Sequence, residues 1–204
     1  MKYFFEDDIS KLDIGRNLVS NYPKIKEEIL AFCQRQDSLV DYPNYPIDGY
    51  DRIYDNYWKA APVSKFKDEH VELNGTPELT ALLLQLTANT RAHCPTVVSV
   101  ISKLEEQGDL ANSFISRLLP GTIIHPHVGW SPNWMRVHLG IICDPGCLIT
   151  IGGESRTWEE GKLLAFNDGP PHPHSVRHEG TRERIVLSAD LRIEYVQKCL
   201  KDQS

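Results

Sequence analysis

No apolar run in this chain approaches the roughly 20 residues that a helix needs to cross a bilayer. The opening stretch Met1-Lys2-Tyr3-Phe4-Phe5-Glu6-Asp7-Asp8 turns acidic at once and leaves no room for a signal-peptide core. A cytoplasmic location is therefore expected. Positive charge is also scarce: 22 Lys and Arg face 28 Asp and Glu, for a net charge of −6. That balance argues against nucleic acid as a partner, which would need a basic face. The cysteines number five, Cys33, Cys94, Cys143, Cys147 and Cys199. An odd count with no secretion signal suggests reduced thiols. Cys143 and Cys147 frame Asp144-Pro145-Gly146, which reads as a turn joining two strands, and no second cysteine pair follows to complete a zinc site. Repeats, heptads, low-complexity tracts and linkers are all missing. The 204 residues are expected to form a single domain, 1–204, large enough to bury a real core.

The first half, 1–110, reads as mainly helical support with one long loop. Pro23 suits a first helical turn, and Ile25, Ile29, Phe32 and Cys33 follow at helical spacing. Thr76-Pro77-Glu78 has a capping hydroxyl, a first-turn proline and an acid near the positive dipole end. Leu79, Leu82, Leu83 and Leu86 then form one apolar stripe, expected to be buried against a sheet. A shorter helix after Cys94-Pro95 carries Val97, Val98, Ile101 and Leu104. Residues 41–62, rich in Tyr, Asp, Asn and Pro, read as a long loop with short extended pieces.

From Asn112 the period changes. Phe114–Leu119 precedes a Pro120-Gly121 turn, and short runs follow at Thr122–Ile124, Met135–Ile142, Cys147–Ile151, Lys162–Phe166, Ser175–Arg177 and Ile185–Leu191. Gly and Pro punctuate most of the gaps. Such spacing predicts a mainly β fold with N-terminal helices: a double-stranded β-helix (jelly roll, cupin-like) over 111–195, supported by α-helices.

Eight histidines is a high count, and most lie in this second half. His127 follows His125 by two residues, so an extended chain would point both to the same side. His172, His174 and His178 offer a similar choice near a later strand. Spacing alone leaves each set open.

The segment from about Cys94 to Asp190 resembles the aspartyl/asparaginyl β-hydroxylase family of iron(II), 2-oxoglutarate-dependent oxygenases. The motifs that carry the resemblance are Cys94-Pro95-Thr96, Leu119-Pro120-Gly121-Thr122, Pro126-His127-Val128-Gly129, Arg136-Val137-His138-Leu139-Gly140, Trp158-Glu159-Glu160-Gly161-Lys162 and His174-Ser175-Val176. The resemblance implies that His127 and His174 bind the iron, with His172 competing for the second place because its loop is longer than usual. It implies that Arg184 and Ser116 grip the distal carboxylate of 2-oxoglutarate. Arg136 and His138 would hold the carboxylate near the metal. Arginine suits a carboxylate because its planar fork donates two hydrogen bonds at once.

Gly129 is as informative as the histidines. Most non-haem iron oxygenases use two histidines and a carboxylate, and the acid normally lies two residues after the first histidine. Glycine offers no ligand atom, so the resemblance implies a two-histidine iron with an extra open position. Asp168 could be proposed as a replacement acid, although Phe166-Asn167-Asp168 resembles the turn before the second ligand. With Fe(II), 2-oxoglutarate and O2, the family's chemistry releases succinate and CO2 and hydroxylates a C–H bond. In aspartyl β-hydroxylases a basic residue two positions before the Arg136 equivalent helps to bind the substrate carboxylate. Here Trp134 takes that place, and Trp130 and Trp134 either face the substrate or pack the barrel mouth. The expected substrate is an amino acid, free, carrier-tethered or within a peptide, or a related small metabolite. Two alternatives remain: a 2-oxoglutarate-dependent halogenase using the open position beside Gly129, and a non-catalytic jelly-roll module that binds a metal or small acid.

Overall fold

Eight short strands that alternate between two facing sheets form the centre of the molecule. The computed structural model describes residues 2–64, 77–129 and 131–202. Three helices open the chain: α1 (Glu6–Ser10), α2 (Asp13–Ser20) and α3 (Tyr22–Cys33). Strands β1 (Val40–Asp41), β2 (Tyr54–Asp55) and β3 (Trp58–Pro62) follow, then helices α4 (Pro77–His93) and α5 (Pro95–Gln107). The central strands are β4 (Leu110–Leu118), β5 (Ile123–His127), β6 (Trp134–Ile142), β7 (Cys147–Ile151), β8 (Glu154–Thr157), β9 (Leu163–Phe166), β10 (His174–His178) and β11 (Arg184–Arg192). Helix α6 (Ile193–Lys201) closes the described chain. None of the described helices is long and apolar enough to cross a membrane.

The larger sheet has the order β1-β3-β4-β11-β6-β9 and the smaller one β2-β5-β10-β7-β8. Following the chain from β4, successive strands cross from one sheet to the other, except for the β7–β8 hairpin. This is the double-stranded β-helix that the strand spacing predicts. Alternation along the larger sheet separates two environments. Ile115, Val137, Leu139, Leu187 and Ala189 face the helices and join Ile25, Ile29, Phe32, Val97 and Ile101 in one buried cluster. Leu118, Leu164, Phe166 and Val186 face the smaller sheet and join Ile124, Ile149, Ile151 and Trp158 in a second.

Local signals explain the helix ends. Pro95 occupies the first turn of α5, and Gly108, in the left-handed region at φ 76°, ends it. The cap comes from elsewhere in the chain: the buried Glu28 carboxylate of α3 accepts from Thr96 N at 3.0 Å and from Thr96 Oγ1 at 2.6 Å.

One expectation needs correction and another gains detail. Residues 41–62 carry the short extended pieces expected there, and the longest, β3, pairs along its whole length with β4, from Trp58 opposite Leu118 to Pro62 opposite Phe114. The nominally helical first half thus also supplies strands to both sheets. The leucine stripe of α4 is only partly buried: Leu79 and Leu82 are 37% and 45% exposed, while Leu86 is 5% exposed. The helix packs from Leu86 onward, where Thr87 and Thr90 are also buried and return their hydroxyls to the Leu83 and Leu86 carbonyls. The expected cap at Thr76 lies outside the described residues.

Candidate active site

His127 and His174 stand opposite each other on β5 and β10. Their ring centroids are 4.2 Å apart. A β-bulge creates this pair. His174 pairs with His127 and Val176 with Ile124, so three steps on β5 oppose two on β10. The extra residue reverses the facing of β5. His127 and Ile124 consequently both line the cavity between the sheets. His125 does not share their side, contrary to the expectation from simple alternation. Its Nε2 lies 3.0 Å from Asp55 Oδ2, and its ring stacks on Tyr50 at 4.2 Å.

The other histidines separate in the same way. His172 packs edge-on against Tyr3, 5.4 Å away, instead of turning to His127. His178 is buried four residues along β10, about 13 Å from His174 by strand rise. Within the central pair, His127 Nδ1 donates to the His125 carbonyl at 2.8 Å, which leaves Nε2 with its lone pair. His174 Nδ1 is buried without a hydrogen-bond partner. Burial is the largest influence lowering the pKa of both rings, and Arg136 lowers it further. Two neutral, adjacent imidazoles suit a divalent transition metal. No three His, Cys, Asp or Glu side chains among the described residues form a metal-binding group. A metal here would therefore rest on this pair and leave its other positions to small ligands.

The far end of the cavity is cationic. Arg184, at the start of β11, is 2% exposed and has no carboxylate partner among the ion pairs of the described residues. Its Nη2 donates to Ser116 Oγ at 3.3 Å, its guanidinium lies 4.9 Å from the centre of the Trp158 ring, and its Nε is buried and unpartnered. Burial lowers its pKa, the direction expected for a cation removed from water with no counter-ion. Strand pairing explains the grouping: Ser116 lies opposite Val186, two residues from Arg184, and His138 lies opposite Ser188. All face inward.

Two tryptophans support this wall, and their roles could not be read from the sequence. Trp58 Nε1 donates to Ser116 Oγ at 3.0 Å, and Trp158 Nε1 donates to His138 Nδ1 at 3.0 Å. Both line the cavity. Trp158 had a signal, since it opens one of the motifs. Trp58 had only the weaker signal of an aromatic-rich stretch read as a long loop with short extended pieces.

Arg136 reaches the cavity already paired. Its Nε and Nη2 donate to Asp190 Oδ1 and Oδ2 at 2.8 and 2.9 Å, and Nη1 lies 2.9 Å from Asp168 Oδ2. Burial works against the charge of Arg136, but Asp168 and Asp190 outweigh it and raise the pKa. Asp168 is pushed up by burial and by Asp190, against the pull of Arg136. Its carboxylate also fills the space beside Gly129: a Cβ built there would meet Asp168 Cγ at 2.7 Å. Asp168 is thus turned to Arg136 and does not join the two histidines in a three-ligand group. Trp134 shares the inward face of β6 with Arg136 and carries the Arg192 guanidinium 5.1 Å from its ring centre. Trp130 lies outside the described residues.

A model of the family described as aspartyl/asparaginyl β-hydroxylase matches residues 19–193. Aspartate β-hydroxylase domain-containing protein 2 of Mus musculus is 36% identical over 104 residues, which cover 48% of this chain and 30% of that protein. The aspartyl/asparaginyl β-hydroxylase of Mus musculus is 31% identical over 130 residues, covering 61% of this chain and 17% of that protein. The match thus spans about a third or less of these relatives' own length. Among solved structures, a prolyl-4-hydroxylase of Pseudomonas putida aligns at 17% identity with a TM-score of 0.47, covering 83% of this chain and 87% of that one. Likeness at that level says nothing of activity.

Proposed function

Since the chain belongs to the aspartyl/asparaginyl β-hydroxylase family, we propose that it is an Fe(II)- and 2-oxoglutarate-dependent dioxygenase. It would hydroxylate an unactivated C–H bond of an amino acid, an amino-acid residue or a related small metabolite. His127 and His174 would hold the iron. Ser116 and Arg184 would hold the distal carboxylate of 2-oxoglutarate, and Arg136 with His138 the end near the metal. Bound iron would supply the activation of O2 that the protein's own side chains cannot perform, with release of succinate and CO2.

The observation that carries this reading is Arg184, a buried cation at the end of a cavity with no carboxylate among the described residues to neutralise it. Burying an unpaired charge costs several kcal/mol, so the site gains by taking an anion. The protein's remaining work is positioning and exclusion of water. Leu118, Ile124, Ile149 and Val186 make the interior between the sheets apolar, which strengthens every charge contact within it. Trp134, whose ring carries the Arg192 guanidinium, is the substrate-facing candidate among the described residues.

The halogenase alternative places chloride beside Gly129. The Asp168 carboxylate against that glycine disfavours a second anion there. The test is turnover with Fe(II), 2-oxoglutarate and panels of amino acids and peptides. Succinate release with gain of one oxygen in the product is expected. Chlorine in the product would establish the halogenase instead. No succinate with any substrate, together with unchanged metal binding in His127→Ala, would leave only the non-catalytic module.

A further inference from the structure

Two indole N–H groups face the side chains proposed to hold the co-substrate, and an indole nitrogen can only donate. Trp158 Nε1 donates to His138 Nδ1 at 3.0 Å. That nitrogen must therefore be the unprotonated one of the neutral ring, and burial strongly favours the neutral form. The proton is forced onto Nε2. Ser116 is constrained by the same logic. Its hydroxyl has two lone pairs and one hydrogen, and it receives Trp58 Nε1 at 3.0 Å and Arg184 Nη2 at 3.3 Å. Guanidinium also only donates. Both lone pairs are taken, so the hydroxyl hydrogen must point elsewhere, and it has no acceptor among the hydrogen bonds of the described residues. Ser116, His138 and Arg184 all line the cavity.

We infer that Trp58 and Trp158 are positioning residues that fix the hydrogen-bond polarity of this pocket, so that Ser116 and His138 present donors only. The inference rests on the proposed co-substrate reading for the identity of the ligand, but not for the polarity itself. Serine and neutral histidine are ordinarily ambivalent: each can turn or change tautomer to accept from an amide, an alcohol or a protonated acid. With both indoles in place that freedom is gone. The pocket then meets its ligand with the guanidinium of Arg184, the Oγ–H of Ser116 and the Nε2–H of His138. Carboxylates, which are all acceptor, satisfy them: the distal one at Ser116 and Arg184, and the one near the metal at His138. A primary amide would set its own N–H groups against donors, and mismatches of that kind cost roughly tenfold or more in binding.

Nitrogen-15 NMR of the histidine rings in the intact wild-type protein tests the first half without any ligand. The expected spectrum has His138 protonated at Nε2 and unprotonated at Nδ1, and Trp158→Phe should introduce the Nδ1–H tautomer. A wild-type ring protonated at Nδ1 would overturn the inference. The second half is read from affinities for 2-oxoglutarate and its 5-amide, measured calorimetrically with Mn(II) as a redox-silent metal. Trp58→Phe is expected to narrow the acid-over-amide preference by about tenfold, because Ser116 regains a free lone pair. An unchanged ratio in a folded Trp58→Phe protein would refute the role of Trp58. If the wild type binds neither compound, the co-substrate assignment fails while the histidine spectrum still decides the polarity.

Discussion

A methyl group on Gly129 would sit 2.7 Å from Asp168 Cγ, so this position is glycine for a steric reason as well as a chemical one. The carboxylate absent from position 129 and the one present at position 168 are linked through the same small volume. Asp168 cannot easily move aside, because it is 4% exposed and held against Arg136. Gly129→Ala is expected to cost about 1–3 kcal/mol through overpacking. The same change in an Asp168→Ala background should cost clearly less, because the clash is shared between the two sites. Denaturant unfolding of the four proteins measures both costs, and equal costs would show that the contact does not govern the position. Arg136 illustrates a related point. Its place in the site was legible from its motif, but its two aspartate partners were not, since they meet it only through the pairing of β6 with β11 and the approach of the β9 end.

At the scale of elements, legibility followed how local each cause was. The turn at Asp144-Pro145-Gly146 could be read because proline and glycine punctuate the chain directly, and it does join β6 to β7. The bulge in β5 could not, because it exists only relative to β10. Strand β3 was legible only as an unplaced extended piece, because Trp58–Pro62 neither alternates in burial nor avoids proline. The exposed start of α4 escaped notice since a helical stripe says nothing about where its packing partner ends. The β6–β7 turn also provides a pH-dependent lock. Asp144 accepts from the Gly146 amide through Oδ1 and from the Thr181 and Arg182 amides through Oδ2. These bonds hold its pKa at about 2, below the ordinary 3.8. The folded state thus holds this proton less tightly than the unfolded chain, and the stabilisation is complete above about pH 4 and lost as pH falls toward about 2. Asp144→Asn should lower the Tm at pH 6, and the gap from wild type should shrink as pH approaches 2. A gap that stays constant over that range would contradict the assignment.

For the whole molecule, one division of labour explains the architecture. The helices bury one face of the larger sheet and free its other face to carry polar side chains. Strand pairing then brings Ser116, Arg136, His138 and Arg184 from three neighbouring strands onto that inner face. The smaller sheet supplies His127 and His174 across the gap. The central claim is that the anion drawn to Arg184 is a 2-oxo acid that also reaches a metal on those histidines. The most direct measurement is an anaerobic titration of the protein with Fe(II) and 2-oxoglutarate, following the visible charge-transfer absorption of a chelated 2-oxo acid. Wild type should develop the band, His174→Ala should not, and Arg184→Gln should need roughly 10–100-fold more 2-oxoglutarate, as loss of a charge-assisted contact implies. Failure of the wild type to develop the band, or an unchanged requirement in Arg184→Gln, would contradict the account.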